Sequence, residues 1–384
     1  MKRTFDFVVI GAGVFGAWTA RWLRQAGASV ALIDAYGAAN SRSSSGGETR
    51  IIRLGYGPDE LYTTWAKRSF SLWRDFFAHV GEDLFHQTGV LWLSDDADTH
   101  VSGMWQLLNK MGAFCEKLSA REIGQRYPQL CFQDATWGVL EPTSGVLMAR
   151  RAVQRLVDDL GRNGVECITA AVPPPAGTGK LAELKTSSAG AVSAGTFIFA
   201  CGPWLPKIFP DLLAEKIFPT RQEVFFLGPP AGSDTFSSQK MPAWLHHTHK
   251  DRPYAVPDIE NRGFKIAFDR HGPGFDPDSG SRVASQAAIH DLRSYLKEHV
   301  PSLGAAPIVE TRVCQYENTW NGDFLIDRHP QFDNVWLAGG GSGHGFKHGP
   351  AVGEYLSSRI LQDAPAEPRF SLASKQKRHA RTVF

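Results

Sequence analysis

The stretch FDFVVIGAGVFG, residues 5–16, constrains the fold more than any other part of the chain. A short apolar run reads as a buried strand that ends in Gly11-Ala-Gly13-Val-Phe-Gly16, and AWTARWLRQAG then reads as a helix closed by Gly27. SVALID follows as a second strand ending at Asp34. The glycine motif alone is weak, but with a strand before it, a helix after it and an acidic residue at the end of the next strand it defines a βαβ dinucleotide-binding unit. The first glycine permits the tight turn, and the second lets a pyrophosphate approach the backbone at a helix N-terminus. The third lets the helix pack closely on the strand, and Asp34 is placed to accept hydrogen bonds from an adenosine ribose.

Similar α/β segments recur at about 150–205, ending in the strand and turn TFIFACG, and at the C-terminal side, where NVWLAGG leads through a glycine-rich turn into the helix AVGEYLSSRIL. Strand-rich stretches lie between them, with helices expected at 102–112 and 285–299. From Asp59 to Val80 the spacing of Leu61, Trp65, Leu72 and Phe76 predicts one apolar helix face. The expected fold is α/β (α+β overall): a Rossmann-like dinucleotide-binding domain over 1–85, 145–218 and 311–384, interrupted by a second, mainly antiparallel-sheet domain over 86–144 and 219–310.

Composition narrows the function. The 41 basic and 39 acidic residues leave a net charge of +2, so no polyanion partner is implied, and the basic end KQKRHARTVF reads as a solvated tail. Five scattered cysteines argue against a disulfide framework and for a reducing compartment. No run approaches the ~20 apolar residues of a membrane span, and the N-terminal run is too short for a signal segment. A cytoplasmic protein without nucleic-acid or membrane partners is expected.

Two features favour FAD over NAD. FIFACGPW offers a second contact with an extended cofactor, and GGGSGHGFKHG sets a glycine-rich loop at the start of the last helix, where a helix N-terminus would stabilise charge on a reduced flavin. A lone Cys314 in RVCQYENTW reads, by itself, as a small buried apolar residue. Taken with GAGVFG…LIDA, GETRIIRLGYG, FACGPW, TRVCQYENTWNGDFLIDRHP and GSGHGFK, however, the chain resembles the monomeric sarcosine oxidase group of D-amino-acid-oxidase-like flavoenzymes. That group includes N-methyltryptophan oxidase, pipecolate oxidase and the cyclic-imine oxidase of nikkomycin biosynthesis.

The resemblance implies the following roles. Cys314, followed by Tyr316 and then Phe324-Leu-Ile-Asp327, matches the cysteine that carries FAD through a thioether to the flavin 8α-carbon. Arg50 is implied beside the flavin, Arg53 and Lys347 as ligands of a substrate carboxylate, and Lys265 over the flavin, promoting reaction with oxygen. Tyr254 and Tyr316 are implied in the active site. Cofactor contacts are implied at Gly11, Gly13, Val14, Phe15, Gly16, Asp34, Ala35, Ser44, Thr49, Arg50, Val172, Ala200, Cys201, Gly202, Trp204, Cys314, Gly341, Gly343, His344, Gly345, Phe346 and Lys347. Arg50 and Arg53 are three apart and could share a helical face. The implied activity oxidises an α-carboxylated secondary or cyclic amine or imine, with hydride passing to flavin N5 and then electrons to molecular oxygen, giving hydrogen peroxide, in an enzyme that acts as a monomer.

Two departures bear on the substrate. Simple N-methyl amino-acid oxidases of the group carry paired histidines where this chain has Ser45-Gly46, and a histidine where it has Asp269, which is similar instead to the cyclic-imine oxidase. Asp269 either faces the substrate nitrogen or pairs with Lys265 or Arg270. A dehydrogenase passing electrons to a quinone or carrier, and a flavin-binding subunit without turnover, are the alternatives. In LHHTHK, His247 and His249 share a strand face while His246 points away and no carboxylate completes a set, so no metal is expected.

Overall fold

The first strand is apolar along its whole inner half, which requires a covering layer on each face of its sheet. The computed structural model of the chain, which describes residues 3–377, supplies both layers. The chain opens with strand β1 (Arg3–Ile10), helix α1 (Val14–Gln25) and strand β2 (Val30–Asp34), and a short β3 (Arg50–Ile52) precedes the long α2 (Glu60–Val80). Then come β4 (Phe85–His86), β5 (Val90–Ser94), α3 (Thr99–Lys110), β6 (Glu116–Ser119), α4 (Ala120–Arg126), β7 (Trp137–Glu141) and β8 (Gly145–Leu147). The chain returns through α5 (Ala149–Arg162), β9 (Glu166–Thr169), β10 (Leu184–Lys185) and β11 (Ala191–Phe199) to two single turns, α6 (Leu205–Ile208) and α7 (Pro210–Leu213). Strands β12 (Ile217–Leu227), β13 (Ala243–His246), β14 (Pro253–Val256) and β15 (Phe264–Phe268) lead to α8 (Gln286–His299) and β16 (Ile308–Thr319). Strands β17 (Leu325–Arg328) and β18 (Val335–Gly339) and helix α9 (Gly349–Leu361) follow.

Three sheets result. In the first, β17-β18-β11-β1-β2-β9, the inner strands are parallel, β17 is an antiparallel edge and β10 pairs with β11. Side-chain alternation sends Phe7 and Val9 into the core under α1 and α2, and Val8 and Ile10 into the core with Phe199, Leu205 and Phe209 on the other face. The second sheet, β16-β12-β15-β14-β13-β5-β7-β6, is antiparallel except where β13 runs parallel to β5. A three-stranded sheet, β3-β8-β4, sits between them in sequence. Strand β16, which begins three residues before the third nucleotide-type segment expected from residue 311, hydrogen-bonds along β12 in the second sheet.

Local expectations were met unevenly. Helix α2 starts where Asp59 caps it, accepting from Tyr62 N at 3.3 Å, and stops at Gly81 in the left-handed region. Its deepest face is one residue on from the expected stripe: Tyr62, Ala66, Ser69, Trp73 and Phe76 are buried, whereas Leu61, Trp65 and Leu72 are only half-buried. The helix packs against two neighbours at once, so the stripe is wider than a single-face pattern. Arg50 and Arg53 share no helical face, because Arg50 opens strand β3 and Arg53 follows its end. Of the basic end, residues 378–384 lie outside the described residues, and Lys375 is buried rather than solvated, donating to Asn321 Oδ1 at 3.3 Å and to the Arg369 carbonyl. Among the described residues no helix is long and apolar enough to cross a membrane.

The glycine turn is the tightest point of the first sheet. Gly11 has φ +106°, and a Cβ there would stand 2.2 Å from the Ala200 carbonyl oxygen; a Cβ on Gly16 would stand 1.9 Å from the Gly11 oxygen. Gly16→Ala should therefore cost about 2–3 kcal/mol by overpacking backbone that cannot yield. Gly81→Ala, with nothing within 4 Å but φ +68°, should cost only about 1 kcal/mol. Urea unfolding of the two variants measures the contrast, and equal losses would contradict it.

Candidate active site

The site lies where the edge of the first sheet meets one face of the second. In the β16-β12-β15-β14 ladder, Cys314 pairs with Gln222, Tyr316 with Thr220, Lys265 with Phe226 and Val256, and Tyr254 with Ala267. Alternation then puts Cys314, Tyr316, Lys265, Asp269 and Tyr254 on one face, while Phe225, Ile266 and Phe268 go to the opposite face and form a core under α8.

A cleft of about 310 Å³ runs along the C-terminal ends of the first sheet's strands. Asp34, Ala35 and Val172 line one end, the Gly11–Phe15 turn and Ser44 its middle, and Cys314, Gly343 and Phe346 the other end. Ala200, Cys201, Gly202, Trp204, Arg50, Gly341 and Gly345 also line it. Gly13 is the N-cap of α1, and a Cβ there would meet only the Ser45 hydroxyl, at 3.4 Å. Asp34 accepts from Ala12 N at 2.8 Å and Tyr36 N at 2.9 Å, though burial still raises its carboxyl. Gly16, Thr49, His344 and Lys347 lie outside this lining. Gly16 is packed on the Gly11 carbonyl, Thr49 faces Lys265, and His344 and Lys347 face a second cavity.

That second cavity, about 100 Å³, shares Arg50, Cys314, Tyr316, Gly343 and Phe346 with the first. Arg50 donates to the Ser44 and Thr49 carbonyls at 2.8 Å, and its guanidinium is 3.7 Å from the Cys314 sulfur. Arg53 is buried, with its guanidinium 4.5 Å from the Tyr56 ring centre and 4.4 Å from that of Trp92, and it donates to the Gly55 carbonyl. The Lys347 ammonium stands 5.0 Å over the same Tyr56 ring and donates to Tyr56 Oη at 2.7 Å and the His344 carbonyl at 3.0 Å. Burial first, and then Arg53, push its pKa well below the usual lysine value. Trp73 holds this turn in place: its indole donates to the Lys347 carbonyl at 3.1 Å, and its ring stacks on Phe346.

Lys265 donates to Thr49 O at 2.9 Å and Thr49 Oγ1 at 3.2 Å. Burial, and then Arg50, push its ammonium well down. Asp269 pairs with neither residue foreseen for it: Arg270 bonds Asp251 and Asp291 instead, and Asp269 accepts from Tyr316 Oη at 2.9 Å. Burial, and then Asp269, raise the Tyr316 phenol well above its usual value, and Tyr254 is raised to about 12 by burial.

Three contributors have no sequence motif. Tyr56 links Lys347 to His348 Nε2 at 2.7 Å, and lies in the quoted GETRIIRLGYG block without standing out from it. Glu141 fastens the loop after Arg53, accepting from Leu54 N at 2.7 Å and Trp92 Nε1 at 2.9 Å. Glu317 lines the first cleft. The histidine cluster also departs from expectation, because β13 ends at His246. His247 leaves the strand and meets Asp98 at 2.8 Å, and His246 meets Asp134 at 2.9 Å, so distant carboxylates complete what the local sequence lacks.

A cleft lined both by an aspartate at the end of a strand and by glycines at a helix N-terminus fits a dinucleotide. The family model described as FAD dependent oxidoreductase matches residues 6–359, and the chain belongs to that family: it is an FAD-dependent oxidoreductase. It is 30% identical to the peroxisomal sarcosine oxidase of Mus musculus, over 97% of each chain. It is 29% identical to the monomeric sarcosine oxidase of Bacillus sp. (strain NS-129), over 93% of each. Among solved structures, the L-proline dehydrogenase from P. horikoshii superposes with a TM-score of 0.85 at 21% identity, covering 99% of this chain and 100% of that one, and so shares the fold.

Glu317 yields a pH test. One of its oxygens accepts from Gly341 N at 3.2 Å, the other has no hydrogen-bond partner among the described residues, and burial pushes the carboxyl from the usual 4.5 up to about 7. Between those pH values the unfolded chain releases this proton while the folded chain keeps it, so stability is lost as pH rises through the window. Glu317→Gln should then unfold at a higher temperature than wild type at pH 8, by about 1–3 kcal/mol of stability, with the gap closing near pH 4.5. Melting curves at the two pH values check it; a gap independent of pH would refute the assignment.

Proposed function

We propose that the protein is an oxidase of an α-carboxylated secondary or cyclic amine or imine, which converts the amine to an imine and molecular oxygen to hydrogen peroxide. The observation that carries this reading is the pair of buried lysines. Among the described residues, Lys347 and Lys265 donate only to neutral oxygens, although each borders the cavity beside Cys314. A buried ammonium without a counter-ion is costly, and an anionic group placed against it offsets that cost.

Arg53 and Lys347, both over Tyr56, supply the place for a substrate carboxylate. Two cations on one group orient the remainder of a small substrate toward Cys314 and the shared end of the two cavities. Asp269, held by Tyr316, is the carboxylate available to the substrate nitrogen, where it can accept a proton as the amine is oxidised. The relatives named sarcosine oxidases support a small amino acid as substrate, and Asp269 favours a cyclic or iminium form. FAD, when bound along the first cleft, supplies the two-electron acceptor; Cys314 is the residue proposed to bond it covalently. Lys265 borders a further cleft of about 220 Å³, which Glu260 and Arg262 line at the surface, and this gives oxygen an approach apart from the substrate cavity. That separate approach favours the oxidase over a dehydrogenase serving a carrier.

Three variants test these assignments. Acid-precipitated wild type should keep its yellow colour in the pellet, whereas Cys314→Ala should release it; colour freed from the wild type would exclude a thioether. Lys347→Ala should weaken both substrate and simple carboxylate inhibitors, by about 2–5 kcal/mol of binding. Asp269→Asn should slow anaerobic bleaching of the flavin by amine while leaving nitrogen-free carboxylates bound nearly as before. Normal carboxylate affinity in Lys347→Ala would reverse the proposed orientation, and equal losses of both ligand types in Asp269→Asn would leave Asp269 a structural partner only.

A further inference from the structure

Beside the second cavity, which His246 also lines, three segments remote in sequence bring metal-ligating atoms together. His246 is the last residue of β13 and is fully buried. Its Nδ1 lies 2.9 Å from the Tyr295 hydroxyl, and its Nε2 lies 2.9 Å from an Asp134 carboxylate oxygen in a geometry that makes no hydrogen bond. His299, at the end of α8, is also buried, and its Nδ1 is 3.0 Å from the Cys131 carbonyl oxygen. A carbonyl only accepts, so this Nδ1 carries a proton, and Nε2 is the ring atom placed to act as a ligand. One donor atom each from Asp134, His246 and His299 lies within 4.8 Å of the other two.

We propose that Asp134, His246 and His299 form a binding site for a divalent transition-metal cation, for which Zn2+ is the best match. Two imidazole nitrogens and one carboxylate oxygen suit that ion's ligand preference, and metal bonds of about 2.0–2.2 Å would draw the three atoms together. Tyr295 and the Cys131 carbonyl act as the outer partners that fix each ring's orientation. Phe132 supplies an apolar wall, edge-on to His246 and stacked on His299. The Asp134 side chain is 46% exposed, so the cluster is open to an ion from solvent. The other titratable groups facing the site are Glu298, 3.8 Å from His299 Nε2, and His249, whose ring centre is 5.4 Å from that of His246. A bound ion would join the 131–134 segment, the end of β13 and the end of α8. It would stabilise the wall behind Leu245 and His247, which line the substrate cavity.

Because His246 also lines the second cavity, the test is read on metal binding and stability rather than on turnover. Full-length flavoprotein, stripped by dialysis against chelator, is titrated with ZnCl2 by calorimetry at pH 7.5. Wild type should show one saturable site per chain and a higher melting temperature with Zn2+. Asp134→Asn, a change at an exposed side chain, and His299→Gln should each weaken binding at least about ten-fold. The Zn2+-dependent rise in melting temperature should also disappear in Asp134→Asn. Absence of a saturable site in the wild type, or wild-type affinity in Asp134→Asn, would overturn the proposal.

Discussion

The ladder between β12 and β16 is the constraint on which the rest of the site depends. It is the longest pairing in the molecule, running from Ile217↔Thr319 to Leu227↔Ile308, and both of its strands continue directly into the first sheet's territory. Chain enters β12 from the turns after β11 and leaves β16 toward β17, so one ladder sets the position of the second sheet's face against the dinucleotide cleft. Because side chains alternate, a slip of one residue would turn Cys314 and Tyr316 away from the cleft and Val313 and Gln315 toward it. The apolar core under α8 resists that slip, since it would turn Phe225 out of the core and bury Lys265 in place of Ile266. Packing on one face thus enforces chemistry on the other.

The cost of that arrangement is concentrated in a few buried polar groups. Lys265, Lys347 and Glu317 are all buried, and burial shifts each away from its charged form. A chain selected for stability alone would place apolar side chains there, so these are the positions where folding and function conflict. The surrounding hydrogen bonds lower the cost without removing it. Tyr56 ties Lys347 to His348, Glu141 ties the loop after Arg53 to Trp92, and Trp73 ties the 346–348 turn to α2.

What was legible in the sequence was local. The Gly11-Gly13-Gly16 turn, the Asp59-to-Val80 extent of α2 and the apolar strands each depend on residues a few positions apart. Tyr56 and Glu141 carry no signal because their roles arise from partners far along the chain, His348 in one case and Leu54 in the other. Arg50 and Arg53 were misread as a helical pair because a three-residue spacing is ambiguous between helix and strand until pairing with β8 decides it. Lys375 was misread as solvated because charge composition does not reveal the carbonyl of Arg369 folding over it.

The sequence by itself determined the βαβ unit, the dinucleotide cleft it builds and, through the blocks around Cys314 and Gly341–Lys347, the kinship with FAD-dependent oxidoreductases. These follow from steric limits and hydrogen bonds acting over a turn or two, which any chain with those residues must satisfy. The tertiary structure alone decided that Asp269 is held by Tyr316, that two buried lysines meet only neutral oxygens, and that His246 finds Asp134 and His299. Each of these is a contact between segments brought together by burial of apolar surface. Burial depends on the whole core, so no short stretch of sequence carries its outcome.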